Sequence, residues 1–266
     1  MSTPLFQHYM AFITAKIDMK APNGTNTSIG TGFFYSVPVY KDQSILLLIS
    51  NKHVFIDPNG EITVSLNRKI DNDTPEYGNI RTFNQTGFAN EYYAHPNNDI
   101  DLACINVSQM GKTDCFYKCL NNEFLEPINY ENVTTGDDVI FVGYPENRYD
   151  MVNNLPLIRK GSIASMPNID FNGKGQIVID AQVFPGSSGS PVFVISDNYY
   201  RLLGVVSETM IRHSQLQTLP TNMPLVGVQQ MLGLGIVIKQ KHIQELIDHT
   251  VNEFLQKHPE PQSQEL

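Results

Sequence analysis

Along most of this 266-residue chain, apolar residues come in short runs broken by Gly, Pro, Asn or Asp, which predicts strands joined by turns. Met10–Ile17, Ile29–Ser36, Ser44–Ser50, Glu61–Asn67 and Asp101–Val107 form a first series, rich in branched and aromatic side chains. Asp138–Gly143, Gly161–Met166, Gln176–Asp180, Ser190–Ile195, Leu202–Ser207 and Gly233–Ile238 form a second. Between the two series, Gly111–Tyr130 carries few strand signals and reads as a connector. The expected fold class is all-β: two antiparallel six-stranded β-barrels, the first over about 5–120 and the second over about 131–240.

One segment has helical spacing. In Lys241–Gln256 the apolar residues Ile243, Leu246, Ile247, Val251, Phe254 and Leu255 recur at three- and four-residue steps, and Pro259 follows. This predicts a C-terminal α-helix docked on the second barrel. Residues 259–266 read as a disordered polar tail, and His213–Gln229 as a long loop that either covers a cleft or is plain surface.

Composition narrows the classes without choosing among them. With 41% hydrophobic and 17% charged residues the chain is ordinary globular protein. A net charge of −9 argues against a nucleic-acid surface, which draws on clustered Lys and Arg. The longest apolar run, Ile45–Ile49, is too short to cross a bilayer, and Met1–Lys20 has no secretory pattern. A cytoplasmic, membrane-free setting is expected. Cys104, Cys115 and Cys119 make a poor disulfide framework. Cys115 and Cys119 could be half a zinc site, but no second pair stands at ligand spacing, so buried free thiols are expected and no metal or cofactor.

The candidate chemistry begins at Pro185-Gly186-Ser187-Ser188-Gly189-Ser190-Pro191, between two strand-like runs. Acyl transfer needs a nucleophilic oxygen beside backbone N–H donors that receive the developing oxyanion. Gly186, two residues before Ser188, allows the tight turn that aims both N–H groups at one spot, and Gly189 leaves room for substrate. Upstream, Ile45–Ile49 leads into Ser50-Asn51-Lys52-His53-Val54, placing a histidine just past a buried strand. His8, His95, His213, His242, His249 and His258 sit in loops, termini or the helix and look less special. Asp99-Ile100-Asp101-Leu102 then offers two acids to orient the histidine. Asp101 is preferred, because Asp99 in that role would put a second charge on the same strand face.

The order His, Asp, Ser with these surroundings resembles the chymotrypsin-fold serine peptidases, and within them the bacterial HtrA/Deg-type protease domain. The pieces that carry the resemblance are Gly30-Thr31-Gly32-Phe33-Phe34, Ser50–Val54, Asp101-Leu102-Ala103, Gly143-Tyr144-Pro145, Asp180-Ala181, Pro185–Pro191 and Gly233–Ile238. The resemblance implies one protease domain over 1–258, a protein or peptide substrate, and a possible regulatory partner. It implies a triad of His53, Asp101 and Ser188, with Gly186 and Ser188 N–H groups as the oxyanion hole. It places substrate against Ser207, Glu208 and Thr209, with a pocket formed by Gln182, Val183, Phe184 and Ser207, of small or medium apolar preference. Departures are visible too. No cysteine flanks His53, Ser187 stands where vertebrate trypsins carry an Asp, and no segment after the helix could hold a PDZ domain. A bare domain without N-terminal activation is therefore expected. The alternatives are a catalytically silent binding module and, ranked last, an esterase.

Overall fold

The computed structural model describes residues 3–40, 43–215 and 227–259. Helix α1 (Thr3–Met10) precedes strands β1 (Thr14–Lys20), β2 (Thr27–Tyr40), β3 (Gln43–Ser50), β4 (Glu61–Lys69), β5 (Pro75–Thr86), β6 (Tyr92–Ala94) and β7 (Ala103–Asn106). These strands form one sheet in the order β5-β4-β1-β2-β3-β7-β6. After the connector come β8 (Asp138–Gly143), β9 (Leu157–Ile163), β10 (Gln176–Asp180), β11 (Pro191–Ser196), β12 (Tyr199–Gln215) and β13 (Gly227–Lys239). They close into a barrel in the order β10-β13-β12-β11-β8-β9, and α2 (Gln240–Lys257) follows.

The expectation of two six-stranded barrels is thus corrected. Only the second half closes; the first is an open sheet of seven strands. Closure requires hydrogen bonds between the two end strands. The end strands here are β5, which pairs only with β4, and β6, which pairs only with β7. β6 is three residues long, and β5 is mostly exposed and polar along its length. Neither offers the other a matched, half-buried edge. Both strands are also invisible in the hydrophobic pattern for the same reason.

Burial on both faces explains the continuous apolar run of β3. In Ile45-Leu46-Leu47-Leu48-Ile49, Leu46 and Leu48 point into a core enclosed by the open sheet with Ile17, Phe34, Val64 and Phe88. Ile45, Leu47 and Ile49 point the other way, into a core shared with the barrel. Side chains alternate with period two, so a strand buried on both faces reads as unbroken hydrophobic sequence. That shared core also takes Phe193, Leu202 and Val205 from the barrel, Phe6 and Met10 from α1, and Ile243, Leu246 and Ile247 from α2. The barrel's own interior holds Phe141, Ile163, Ile179, Val192, Leu203 and Val237.

Local differences from the sequence expectations have similar causes. Met10 belongs to a helix rather than a strand, since Phe6 and Met10, four apart, face one core. α2 spans one residue more at each end than expected and docks over the seam of sheet and barrel, not on the barrel alone. β12 and β13 extend into the predicted loop 213–229 from both sides, and its centre, 216–226, lies outside the described residues. The connector holds short 3-10 turns and two isolated bridges, a parallel one from Tyr35 to Leu120 and an antiparallel one from Arg68 to Cys115. Among the described residues no helix is long and apolar enough to cross a membrane. The three cysteines are free thiols, and burial pushes those of Cys104 and Cys119 up to about 12, which keeps them unreactive.

Candidate active site

Each half of the molecule contributes one arm. His53 sits in the turn that leaves β3, closed by a hydrogen bond from Val54 N to Asn51 O. Val54 and Phe55 plug into the core of the open sheet and leave His53 exposed between them and the strand. Asp101 immediately precedes Leu102, which is fully buried and leads into β7. Because β3 and β7 are hydrogen-bonded neighbours, with Ser50 opposite Ala103, their ends bring His53 and Asp101 together. His53 Nδ1 lies 2.6 Å from Asp101 Oδ2, and His53 N donates to Asp101 Oδ1 at 3.1 Å. Asn51 Nδ2 donates to the Asp101 carbonyl at 2.8 Å, fixing the backbone that carries the carboxylate. Asp99 is exposed and takes no part; its N–H donates to Asn97 Oδ1.

The second arm is the turn before β11. Gly186 and Gly189 adopt φ of 87° and 86°, the left-handed region that L side chains avoid. A Cβ on Gly186 would strike the Tyr144 carbonyl oxygen, and one on Gly189 the Thr31 carbonyl oxygen. The turn is tightened by hydrogen bonds from Ser187 N to Phe184 O and from Ser190 N to Ser187 O. Among the described residues, Gly186 N and Ser188 N donate to no protein acceptor.

Thr31 of β2, fully buried, joins the arms. Its N–H donates to Ser188 O at 2.8 Å, and its Oγ1 donates to Gly186 O at 2.8 Å while accepting from Tyr144 N at 3.2 Å. Its own carbonyl accepts from Ser50 Oγ at 2.7 Å, at the end of β3 beside the His53 turn. Sequence reasoning noted Gly30-Thr31-Gly32 without giving Thr31 a task. A polar residue flanked by glycines within an otherwise apolar strand is the signal that could have found it.

Ser207 is a second junction. Its Oγ donates to Asp101 Oδ2 at 3.4 Å, and its carbonyl accepts from Ser188 Oγ at 3.2 Å. His53, Asp101, Ser207 and Ser188 thus share one cluster, but the described residues show no hydrogen bond between Ser188 and His53. Asp101, Ser207 and Glu208 line a groove of about 630 Å³. β12 departs from regular pairing with β13 around Val206–Glu208 and Thr209–Ile211, and β11 pairs with β12 only as far as Val205. Among the described residues, Ser207, Glu208 and Thr209 make no ladder pair with β11. Bulges commonly stand beside sites of this kind.

The pocket residues fall into different places. Gln182 is exposed, whereas Val183 is buried in the barrel core and offers only its backbone. Phe184 is half-buried, with the Arg159 guanidinium 5.3 Å from its ring centre. Arg159 also packs on Phe141, and its buried Nη1 finds no partner among the described residues. A cation therefore stands behind Phe184, at a pocket expected to prefer small or medium apolar side chains.

A trypsin-like peptidase domain family matches residues 30–205, from β2, which carries Thr31, into β12, the second strand after Ser188. The chain belongs to that family. Its fold is similar to the crystal structure of the serine endoprotease from Yersinia pestis, with a TM-score of 0.50 and 16% identity over 96% of this chain and 68% of that one. A protease from M. tuberculosis in its active form aligns with a TM-score of 0.48 and 16% identity, over 93% of this chain and 84% of that one. No curated protein matches the chain by sequence.

Proposed function

We propose that the protein is a serine endopeptidase, with residues 1–258 as its working unit. The observation that carries this reading is the junction at Ser207, where the acid of the His53–Asp101 pair and the hydroxyl of Ser188 meet on one residue. For attack, Ser188 Oγ leaves the Ser207 carbonyl and gives its proton to His53 Nε2 as it bonds to the scissile carbonyl carbon. Asp101 holds the imidazole in the needed tautomer and stabilises the imidazolium. The free N–H groups of Gly186 and Ser188 receive the oxyanion. The imidazolium then protonates the leaving amine, and water, activated by the same histidine, releases the acyl group from Ser188. Catalytic hydrogen bonds are often long or unaligned before substrate arrives, which accommodates the resting contact of Ser188 with Ser207. The substrate is an extended peptide laid along the open edge of β12.

The resting contact also favours a second reading, a peptide-binding domain with an idle serine. A fluorophosphonate probe and a peptide library separate the two. An endopeptidase labels at Ser188 and cleaves, and folded Ser188→Ala does neither. Cleavage that persists in folded Ser188→Ala overturns the assignment, and peptide binding by wild type without labelling or cleavage establishes the binding domain.

A further inference from the structure

Away from Ser188, three metal-ligating side chains converge where α2 meets the loop between β6 and β7. His95, just after β6, points Nε2 at Glu245 Oε2, 3.1 Å away. His242, in the first turn of α2, points Nδ1 at the same oxygen, 2.8 Å away. Nε2 of His95, Nδ1 of His242 and the carboxylate all lie within 4.8 Å of one another. Both imidazoles are largely buried, while Glu245 is half exposed and leaves a way in from solvent.

We propose that His95, His242 and Glu245 bind one zinc-class divalent cation, tying the loop that carries Asp101 to the C-terminal helix. Two imidazoles and one carboxylate are a donor set that zinc accepts, with water in the fourth position. Zinc–ligand bonds of about 2.0–2.2 Å put ligand atoms little more than 3 Å apart, close to the spacing of each nitrogen from Glu245. The surroundings are built for ligation as well. A metal-bound histidine usually donates its second ring N–H to a backbone carbonyl. His95 Nδ1 stands 3.3 Å from Asn97 O and, without metal, accepts from Asn97 N at 3.1 Å, so ligation at Nε2 moves the ring proton to Nδ1 and turns that nitrogen toward Asn97 O. His242 Nε2 is buried against Gly175 without a partner among the described residues, so Nδ1 is the nitrogen free to serve.

The placement gives the ion a structural consequence. His95 N donates to Leu102 O at 2.9 Å, so the loop from His95 to Leu102 is closed at its base, with Asp101 inside it. An ion held jointly by His95 and two residues of α2 fixes this loop to the element that follows the barrel.

The proposal stands independently of peptide hydrolysis and is tested without it. The full chain, stripped with chelator and dialysed, is titrated with zinc chloride by calorimetry, and with cobalt(II) while its visible d–d absorption is followed. One equivalent binds, cobalt gives the intense bands of a four-coordinate site, and the melting temperature rises with zinc. Glu245→Gln, at an exposed position, and His95→Gln each weaken binding at least about tenfold, as the loss of even an outer partner of a metal commonly does. His249→Ala, on the same helix and paired with Glu253, leaves binding unchanged. Absence of saturable binding overturns the proposal and leaves a hydrogen-bonded His-Glu-His cluster. Binding that survives both Glu245→Gln and His95→Gln, or that requires His249, overturns it too.

Discussion

The open sheet and the closed barrel hold their halves of the site by different means. In the barrel, the Ser188 turn is locked by covalent geometry: two glycines at positive φ, each pressed against a carbonyl oxygen. In the sheet, His53 and Asp101 sit at the ends of adjacent strands, placed by register and held by hydrogen bonds from Asn51 and Ser207. The barrel closes on itself and leaves only the part of β12 beyond Val205 unpaired by β11 among the described residues, whereas β5 and β6 are end strands of the sheet along their whole length. The sheet nevertheless presents its polar groups as well as the barrel does, because its central strands β2 and β3 are buried on both faces. Closure is therefore not what positions these polar side chains; burial of the strands that carry them is.

The largest expected effect tests the sheet's arm. Asp101→Asn should lower turnover about 10⁴-fold through the wrong histidine tautomer, while Asp99→Asn leaves kcat close to wild type. Equal losses in steady-state assays of the two variants would remove the distinction drawn between these acids. Next come paired core truncations. Leu48→Ala in the open sheet and Leu203→Ala in the barrel should each cost about 2–5 kcal/mol by urea unfolding. A cost well below that range for Leu48→Ala alone would show that the open half is loosely packed.

Gly189→Ala should destabilise by about 1–2 kcal/mol for the left-handed backbone alone, and by more for the collision with Thr31 O. Its activity should fall further than its stability, since the displaced turn carries Ser188. Unchanged kcat with lowered stability would mean that the turn's geometry matters to folding only. The smallest effect lies at the barrel's end. Hydrogen bonds from Lys239 and then Lys241 hold the Asp170 carboxyl down, from 3.8 to about 2. A depressed folded-state value means stability present above the unfolded value and lost as pH falls. Asp170→Asn should therefore weaken the fold slightly at neutral pH and flatten the stability profile between pH 3.8 and about 2. Unfolding curves of both proteins across that range check it, and parallel profiles would discount the Lys pairs.

Much of the candidate site is legible in the chain because its parts are local. A turn with glycines on both sides of a serine, a histidine after an apolar run, and an acid before one are patterns of neighbouring residues. The preference for Asp101 over Asp99 rests on burial and on the match of Asp101-Leu102-Ala103 to the family pattern, and the register of β3 with β7 sets Asp101 against His53. Thr31 and Ser207 are different. Their tasks depend on partners at Gly186, Ser188 and Asp101, distant in sequence; the glycines beside Thr31 mark it as unusual but do not reveal what it holds. His95, His242 and Glu245 are the extreme case, since 150 residues separate His95 from Glu245.

By itself the sequence determines the strand-rich class, the C-terminal helix and the residues able to do nucleophilic chemistry, because period and turn chemistry are set by neighbouring residues. Only the tertiary structure decides that the first half stays open, that α2 lies over the seam, and that Ser188 rests on Ser207 rather than His53. Those outcomes depend on which edges find partners across the fold, and pairing between distant segments leaves no mark on the local pattern.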